Sequence, residues 1–232
     1  MLPRFHVTPR EAIPEIVRDK VFIDDYTFRI DRPANSDKLF DHPWVRSAYA
    51  ADQYAPYWTQ LWPSARMLAK VVVRENWPAD SKPIPVLEVG CGLGLAGVAA
   101  LARGMAVTFS DVDETALEFA AANARLNGFH TFRTMLLDIR CPPDDGKYPV
   151  VIGSDLMYEE RMVDPLVGLL RAVLAPGGVC LITDPDRAPA RVFRWKLGEA
   201  GYDVAPELVR AGEPGGERTK GTLYRIREMA DC

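Results

Sequence analysis

Val86-Leu87-Glu88-Val89-Gly90-Cys91-Gly92-Leu93-Gly94 decides how the rest of the chain is read. A short apolar run ends on a carboxylate and breaks into a turn with glycine at every second position. A stretch rich in Ala and Leu follows from Leu95 to Arg103. The pattern predicts a buried strand, a tight turn and a helix. Glycine lets the backbone take positive φ and approach a ligand closely. The helix start adds unsatisfied N–H groups and the positive end of its dipole at the same spot. The turn is expected to cradle a cofactor, and the neighbouring sequence has to say which.

Working outward, strands and helices alternate from Ile84 onward. The strand Ala106–Asp111 leads to a helix capped by Asp113, with Ala116, Leu117, Ala120, Ala121 and Ala124 on one face, closed by Asn127-Gly128. Strands are expected at Thr131–Leu137, Val150–Ser154 and Val179–Thr183, the last entered through Pro176-Gly177-Gly178. Helices are expected over Val163–Leu174 and near Ala190–Ala200. Two final strands, Tyr202–Val209 and Thr222–Arg227, have too short a connection for a crossover helix and should pair antiparallel. Alternation of this kind means a mostly parallel sheet with helices on both faces. The fold class is therefore α/β and Rossmann-like, with seven strands, a C-terminal antiparallel hairpin and a small N-terminal extension.

Residues 1–60 form that extension. Val21-Phe22-Ile23 and Thr27-Phe28-Arg29-Ile30 suggest a hairpin around Asp24-Asp25-Tyr26. A polar stretch and an aromatic cluster, Tyr54, Tyr57, Trp58 and Trp62, come next. A helix from Pro63-Ser64 to about Asn76 opens the main domain, residues 61–232.

With 232 residues, 48% hydrophobic and 26% charged, the chain suits a soluble globular domain. Its formal net charge of −4 and lack of a basic block argue against nucleic acid as a partner. No apolar run is long enough for a membrane span, and Met1-Leu2-Pro3-Arg4-Phe5-His6 lacks a signal-peptide core. Cys91, Cys141, Cys180 and Cys232 show no paired spacing, and His6, His42 and His130 show no ligand spacing. Reduced thiols, a cytoplasmic location and no metal site are expected. Oligomeric state is not encoded in any pattern.

Gly92-Leu93-Gly94-Leu95-Ala96-Gly97 fits G-x-G-x-x-G, with Asp111 placed for a ribose, so the glycines alone allow NAD. Glu88 before the glycines, the acids Asp111 and Asp138 at the next strand ends, and the terminal hairpin point elsewhere. With these features the chain resembles the seven-β-strand S-adenosylmethionine-dependent methyltransferases from about Trp58 to its end. Within them it is similar to methyltransferase family 16, the distal-lysine protein methyltransferases and their bacterial relatives. Trp58-Thr59-Gln60-Leu61-Trp62-Pro63-Ser64, Leu87–Leu95, Ser110-Asp111, Asn123-Ala124-Arg125-Leu126-Asn127 and Asp155-Leu156-Met157-Tyr158 carry the resemblance. Two departures stand out. Ile139 follows Asp138 where the family has Trp, and Asp184-Pro185-Asp186-Arg187 has Asp186 where bacterial members have Gly.

The resemblance implies S-adenosyl-L-methionine as cofactor. Gly90, Gly92 and Gly94 would approach it, and Asp111 would accept hydrogen bonds from the ribose hydroxyls. Asp138 would meet the adenine amino group, while Trp62 and Ser154 would line the pocket. Glu88 would either hold the strand-turn geometry or meet the cofactor's amino group. Asp155 and Tyr158, after the strand where the methyl group is presented, would orient the acceptor or take its proton. The implied acceptor is a protein lysine. A small-molecule amine or a cofactor-binding module without activity are the alternatives. Asn123 and Asn127 are expected to shape their helix end, and Cys91 to pack.

Overall fold

The computed structural model describes residues 4–13, 15–78, 82–144, 146–212 and 215–229. Met1, Leu2, Pro3 and Cys232 lie outside the described residues. In chain order the elements begin with β1 (Ile16–Ile23) and β2 (Tyr26–Pro33), then α1 (Ser36–Phe40), α2 (Pro43–Asp52) and α3 (Pro63–Arg74). The alternating part follows as β3 (Pro85–Val89), α4 (Leu95–Ala102), β4 (Ala106–Asp111), α5 (Glu114–Leu126), β5 (Arg133–Leu136) and β6 (Tyr148–Ser154). It closes with α6 (Val163–Val173), β7 (Leu174–Asp184), α7 (Pro189–Glu199), β8 (Tyr202–Ala211) and β9 (Thr219–Glu228).

The seven-stranded sheet has the order β5-β4-β3-β6-β7-β9-β8. β3 to β7 run parallel, and β9 is antiparallel to both of its neighbours. The α/β reading of the sequence therefore holds, hairpin included. Alternate residues of β3 feed opposite faces. Val86 joins a core with Leu68 of α3, Val98 of α4 and Ala116 of α5, whereas Leu87 joins Leu166 of α6 and Phe193 of α7. Strand order reverses between β3 and β6, so a crevice opens beyond their carboxyl ends, the usual ligand position in such sheets.

Three local features differ from the sequence reading or extend it. α1 and α2 occupy what reads as a polar stretch, because their short and weakly amphipathic sequences give little periodic signal. Pro176-Gly177-Gly178 lies inside β7 as an irregularity: Tyr148 pairs with Leu174, and regular pairing resumes at Val150 with Val179. Asn123 and Asn127 do more than shape a helix end. One turn apart on α5, they clip the edge of β2. Asn123 bonds both backbone groups of Asp31 (2.7 and 3.1 Å), and Asn127 bonds both of Arg29 (2.9 and 2.7 Å). The hairpin itself turns on Asp24-Asp25, and Asp24 takes positive φ (50°), which Asp tolerates.

Candidate active site

The turn after β3 is built as its glycines require. Gly90, Gly92 and Gly94 all have positive φ (59°, 51° and 78°). At Gly94 a Cβ would also lie 2.9 Å from that of Ala120, so glycine is needed for both conformation and space. Gly97, in the first turn of α4, lets the helix close onto the sheet: a Cβ there would stand 2.3 Å from Phe109 Cε1 and 2.4 Å from Glu88 Oε2.

Glu88 belongs to this buried layer. It is 3% exposed, its Oε2 accepts the Gly97 N–H at 3.0 Å, and burial pushes its pKa up to about 8. It does not line the cavity above the turn. Of its two possible roles, support of the strand-turn geometry is the one its contacts match.

That cavity has a volume of about 380 Å³, within the range of roughly 300–1,000 Å³ usual for small-molecule sites. It brings together Gly90, Gly92, Gly94, Asp111, Asp138, Trp62, Ser154, Asp155 and Tyr158, residues far apart in sequence. Asp111, at the end of β4, accepts the N–H groups of Gly92 (2.9 Å) and Asp113 (3.1 Å). Burial pushes its pKa up to about 6. Among the described residues no cation pairs with it. The Val112 N–H adds to these donors, and the carboxylate still has acceptor capacity, suited to uncharged donors such as ribose hydroxyls.

Asp138, two residues past β5, is differently placed. Its Oδ1 accepts the Arg140 backbone N–H (3.0 Å) and Nε (2.8 Å). Oδ2 accepts the Arg4 N–H (3.0 Å) and Arg140 Nη2 (2.8 Å). Burial pushes its pKa up, but the Arg140 guanidinium and the N–H donors outweigh that and hold it below the usual carboxylate range. Arg140 also holds Asp52 with two bonds (2.8 and 3.1 Å), and Asp52 in turn meets Arg4 (2.9 Å) and His6 (3.5 Å). His6 stacks on Tyr54 with centroids 3.8 Å apart. Sequence reasoning missed Arg140, Asp52 and His6; the Arg140–Asp52 pair alone crosses 88 residues with no local signal.

Asp113 caps α5, accepting the Thr115 N–H at 2.8 Å. It also receives Thr8, the Tyr54 hydroxyl and Trp58 Nε1 (3.1 Å), which fastens the first residues to the rim.

At the other end, aromatic rings form a wall. Tyr57 contacts Tyr158 (centroids 5.4 Å), Trp62 (6.3 Å) and Phe40 (5.7 Å). Trp62 Nε1 donates to the Tyr57 carbonyl at 2.8 Å, which fixes the indole. Asp155, after β6, has positive φ (57°), and its N–H bonds the Thr183 carbonyl at 2.9 Å. Its Oδ1 accepts Arg187 Nε at 2.7 Å.

S-adenosylmethionine fits this set on the chemistry of the donors and acceptors. The glycine turn leaves its backbone open to a ligand, Asp111 has acceptor positions without a cation, and an apolar face (Leu137, Ile139) lies beside it. No cluster of potential metal ligands occurs among the described residues. No helix among them is long and apolar enough to cross a membrane.

Comparison with known proteins agrees with this geometry. A family model described as lysine methyltransferase matches residues 52–192. The electron transfer flavoprotein beta subunit lysine methyltransferase of Danio rerio is 31% identical over 57% of this chain and 51% of its own length. A protein-lysine N-methyltransferase of Schizosaccharomyces pombe is 29% identical over 72% of this chain and 59% of its own. The chain thus spans about half the length of these curated relatives. Among solved structures, a ribosomal protein L11 methylase of Lactobacillus delbrueckii shares the fold with a TM-score of 0.55. It is 21% identical, over 72% of this chain and 79% of that one.

Proposed function

This chain belongs to the lysine methyltransferase family, and from that premise we propose that it transfers a methyl group from S-adenosylmethionine to a lysine side chain of a protein. One observation carries the reading. A single cavity joins the glycine turn and Asp111 to a carboxylate, Asp155, set among aromatic rings.

When bound, S-adenosylmethionine supplies an electrophilic methyl group on a sulfonium. The backbone of Gly90, Gly92 and Gly94 would approach it, and Asp111 would accept its ribose hydroxyls. Trp62 and Ser154 would border the methionine portion, and Leu137 and Ile139 the adenine. The four acceptor positions of Asp138 are filled, so an adenine amino group bonds it only by replacing one of those donors. Glu88 acts from beneath, by holding the turn.

An unperturbed lysine, with a pKa of ~10.4, is protonated at neutral pH and has to lose that proton before it attacks. Tyr57, Trp62 and Tyr158 offer ring faces to the incoming side chain. Asp155 orients the amine and passes the proton toward water. Methyl transfer is an in-line displacement, so most of the catalysis comes from holding nucleophile and methyl group in line. Residues 1–60 serve as the cap that meets the protein substrate. The reaction belongs in the cytoplasm, where the thiols of Cys91, Cys141 and Cys180 stay reduced.

Calorimetry with S-adenosylhomocysteine and with NAD tests the cofactor: binding of the first alone is expected, and binding of NAD alone overturns the reading. Labelled S-adenosylmethionine, incubated with the protein and cell extract, is expected to put label into protein. Label confined to small molecules overturns the lysine assignment.

A further inference from the structure

We propose that Arg187 is a positioning residue that balances the charge of Asp155, so that the acceptor seat favours a neutral amine over an ammonium ion. The proposal rests on the reading of the site given above. Its basis is a pair delivered by two adjacent strand ends. Asp155 follows β6 and Arg187 follows β7, and their side chains meet through Nε and Oδ1 at 2.7 Å with 11% and 37% exposure.

Both partners are fixed from behind. The Arg187 N–H donates to Oδ1 of the wholly buried Asp184 at 2.7 Å. The residue before it, Asp186, sits at positive φ (64°) with its carboxylate held by Thr222 Oγ1 at 2.6 Å. Asp155 is pinned by its own left-handed φ and by its bond to Thr183. Each residue is thus held by its own backbone as well as by the ion pair.

The remaining charged and titratable neighbours leave this pair as the local balance. Glu159 and Arg161 pair with each other at the mouth. Asp184 lies behind Arg187 and beside Tyr224, Asp186 is engaged by Thr222, and Tyr57 and Tyr158 face the pair from the aromatic wall. Asp111 stands across the turn. Only Oδ1 of Asp155 is taken by Arg187, and Oδ2 has no hydrogen-bond partner among the described residues.

A lone carboxylate at the seat would raise the pKa of an acceptor amine and keep its lone pair protonated. The adjacent guanidinium cancels that bias and still leaves one oxygen to accept an N–H. Positioning and proton removal then work together rather than against each other.

Sinefungin tests this without any methyl acceptor, because an amine-bearing carbon replaces the methyl-bearing sulfonium sulfur and its amine stands where the methyl group would be. Calorimetry of the full chain compares its affinity with that of S-adenosylhomocysteine. Arg187→Gln is expected to raise the preference for sinefungin on the order of tenfold, as a cation beside the seat is lost. Arg187→Lys keeps the charge and is expected to leave the ratio within about twofold of wild type. A folding defect weakens both ligands together and leaves their ratio alone. An unchanged ratio in Arg187→Gln, or an equal change in Arg187→Lys, overturns the proposal. Failure of wild-type protein to bind S-adenosylhomocysteine overturns the reading of the site itself, a separate outcome.

Discussion

Replacing Glu88 by Gln tests the buried layer beneath the turn. Glu88 has a pKa pushed up to about 8 by burial, against an ordinary value of 4.5. Between those values the folded protein holds one more proton than the unfolded chain, so stability falls as pH rises. The slope is about 1.4 kcal/mol per pH unit. Below the lower value and above the upper one this contribution is flat. Over the whole window the loss is on the order of 5 kcal/mol. Gln is nearly isosteric, keeps an acceptor for the Gly97 N–H, and has no proton to lose. The unfolding free energy of the variant minus that of wild type should therefore climb from about pH 5 and level off near pH 8. Urea denaturation across that range measures it. Parallel curves would refute the argument. Because Glu88 does not line the cavity, S-adenosylhomocysteine affinity should stay within about threefold of wild type. A much larger loss in a fully folded variant would put Glu88 in contact with the cofactor.

Three further outcomes follow from the geometry. Asp113→Ala removes the cap of α5 and strands the donors of Thr8, Tyr54 and Trp58. It should cost on the order of 3–5 kcal/mol in denaturant unfolding; a loss below about 1 kcal/mol would contradict the anchoring role. Gly97→Val drives its side chain into Phe109 and Glu88 and should cost about 3 kcal/mol or more, so unchanged thermal stability would mean the helix has room to retreat. Asp155→Asn should lower kcat at least about tenfold with little effect on S-adenosylhomocysteine affinity. The opposite split would make Asp155 a cofactor ligand.

How far the sequence is legible depends on how local each signal is. The strand, turn and helix around Glu88–Gly94 are local, and they come out at nearly the residues where they stand. The Asp113 cap is also local, and so is the pairing of the last two strands. The cavity residues named from the strand ends converge because a parallel sheet delivers all its carboxyl ends to one edge. The partners of those residues are another matter. Arg140 reads as one more polar residue before Cys141-Pro142-Pro143, yet it holds both Asp138 and Asp52. Asp155 reads as a free carboxylate, but its ion pair comes from a residue 32 positions later, on the neighbouring strand's loop. No periodicity encodes a side-chain pairing across elements.

Those pairings alter what the cavity can recognise. Counting residues, it is lined by five acids (Asp52, Asp111, Asp138, Asp155 and Glu159) against three arginines (Arg140, Arg161 and Arg187). A lysine drawn by charge alone would seem well served. Yet Asp52 and Asp138 share Arg140, Glu159 has Arg161 and Asp155 has Arg187, so Asp111 alone among these described residues lacks a cation. Asp111 lies at the end of β4 and is committed to backbone N–H groups. With Arg140 shared by two acids and Arg4 also at Asp52, the lining keeps a modest net negative charge that draws any cation alike, so selection among acceptors falls to short-range contacts. On the proposed reading, the rings of Tyr57, Trp62 and Tyr158 would border an extended alkyl chain, and one oxygen of Asp155 would accept from its nitrogen. On that argument the distinction among acceptors is made by shape at the aromatic wall, while charge at the seat decides the protonation state in which the amine arrives.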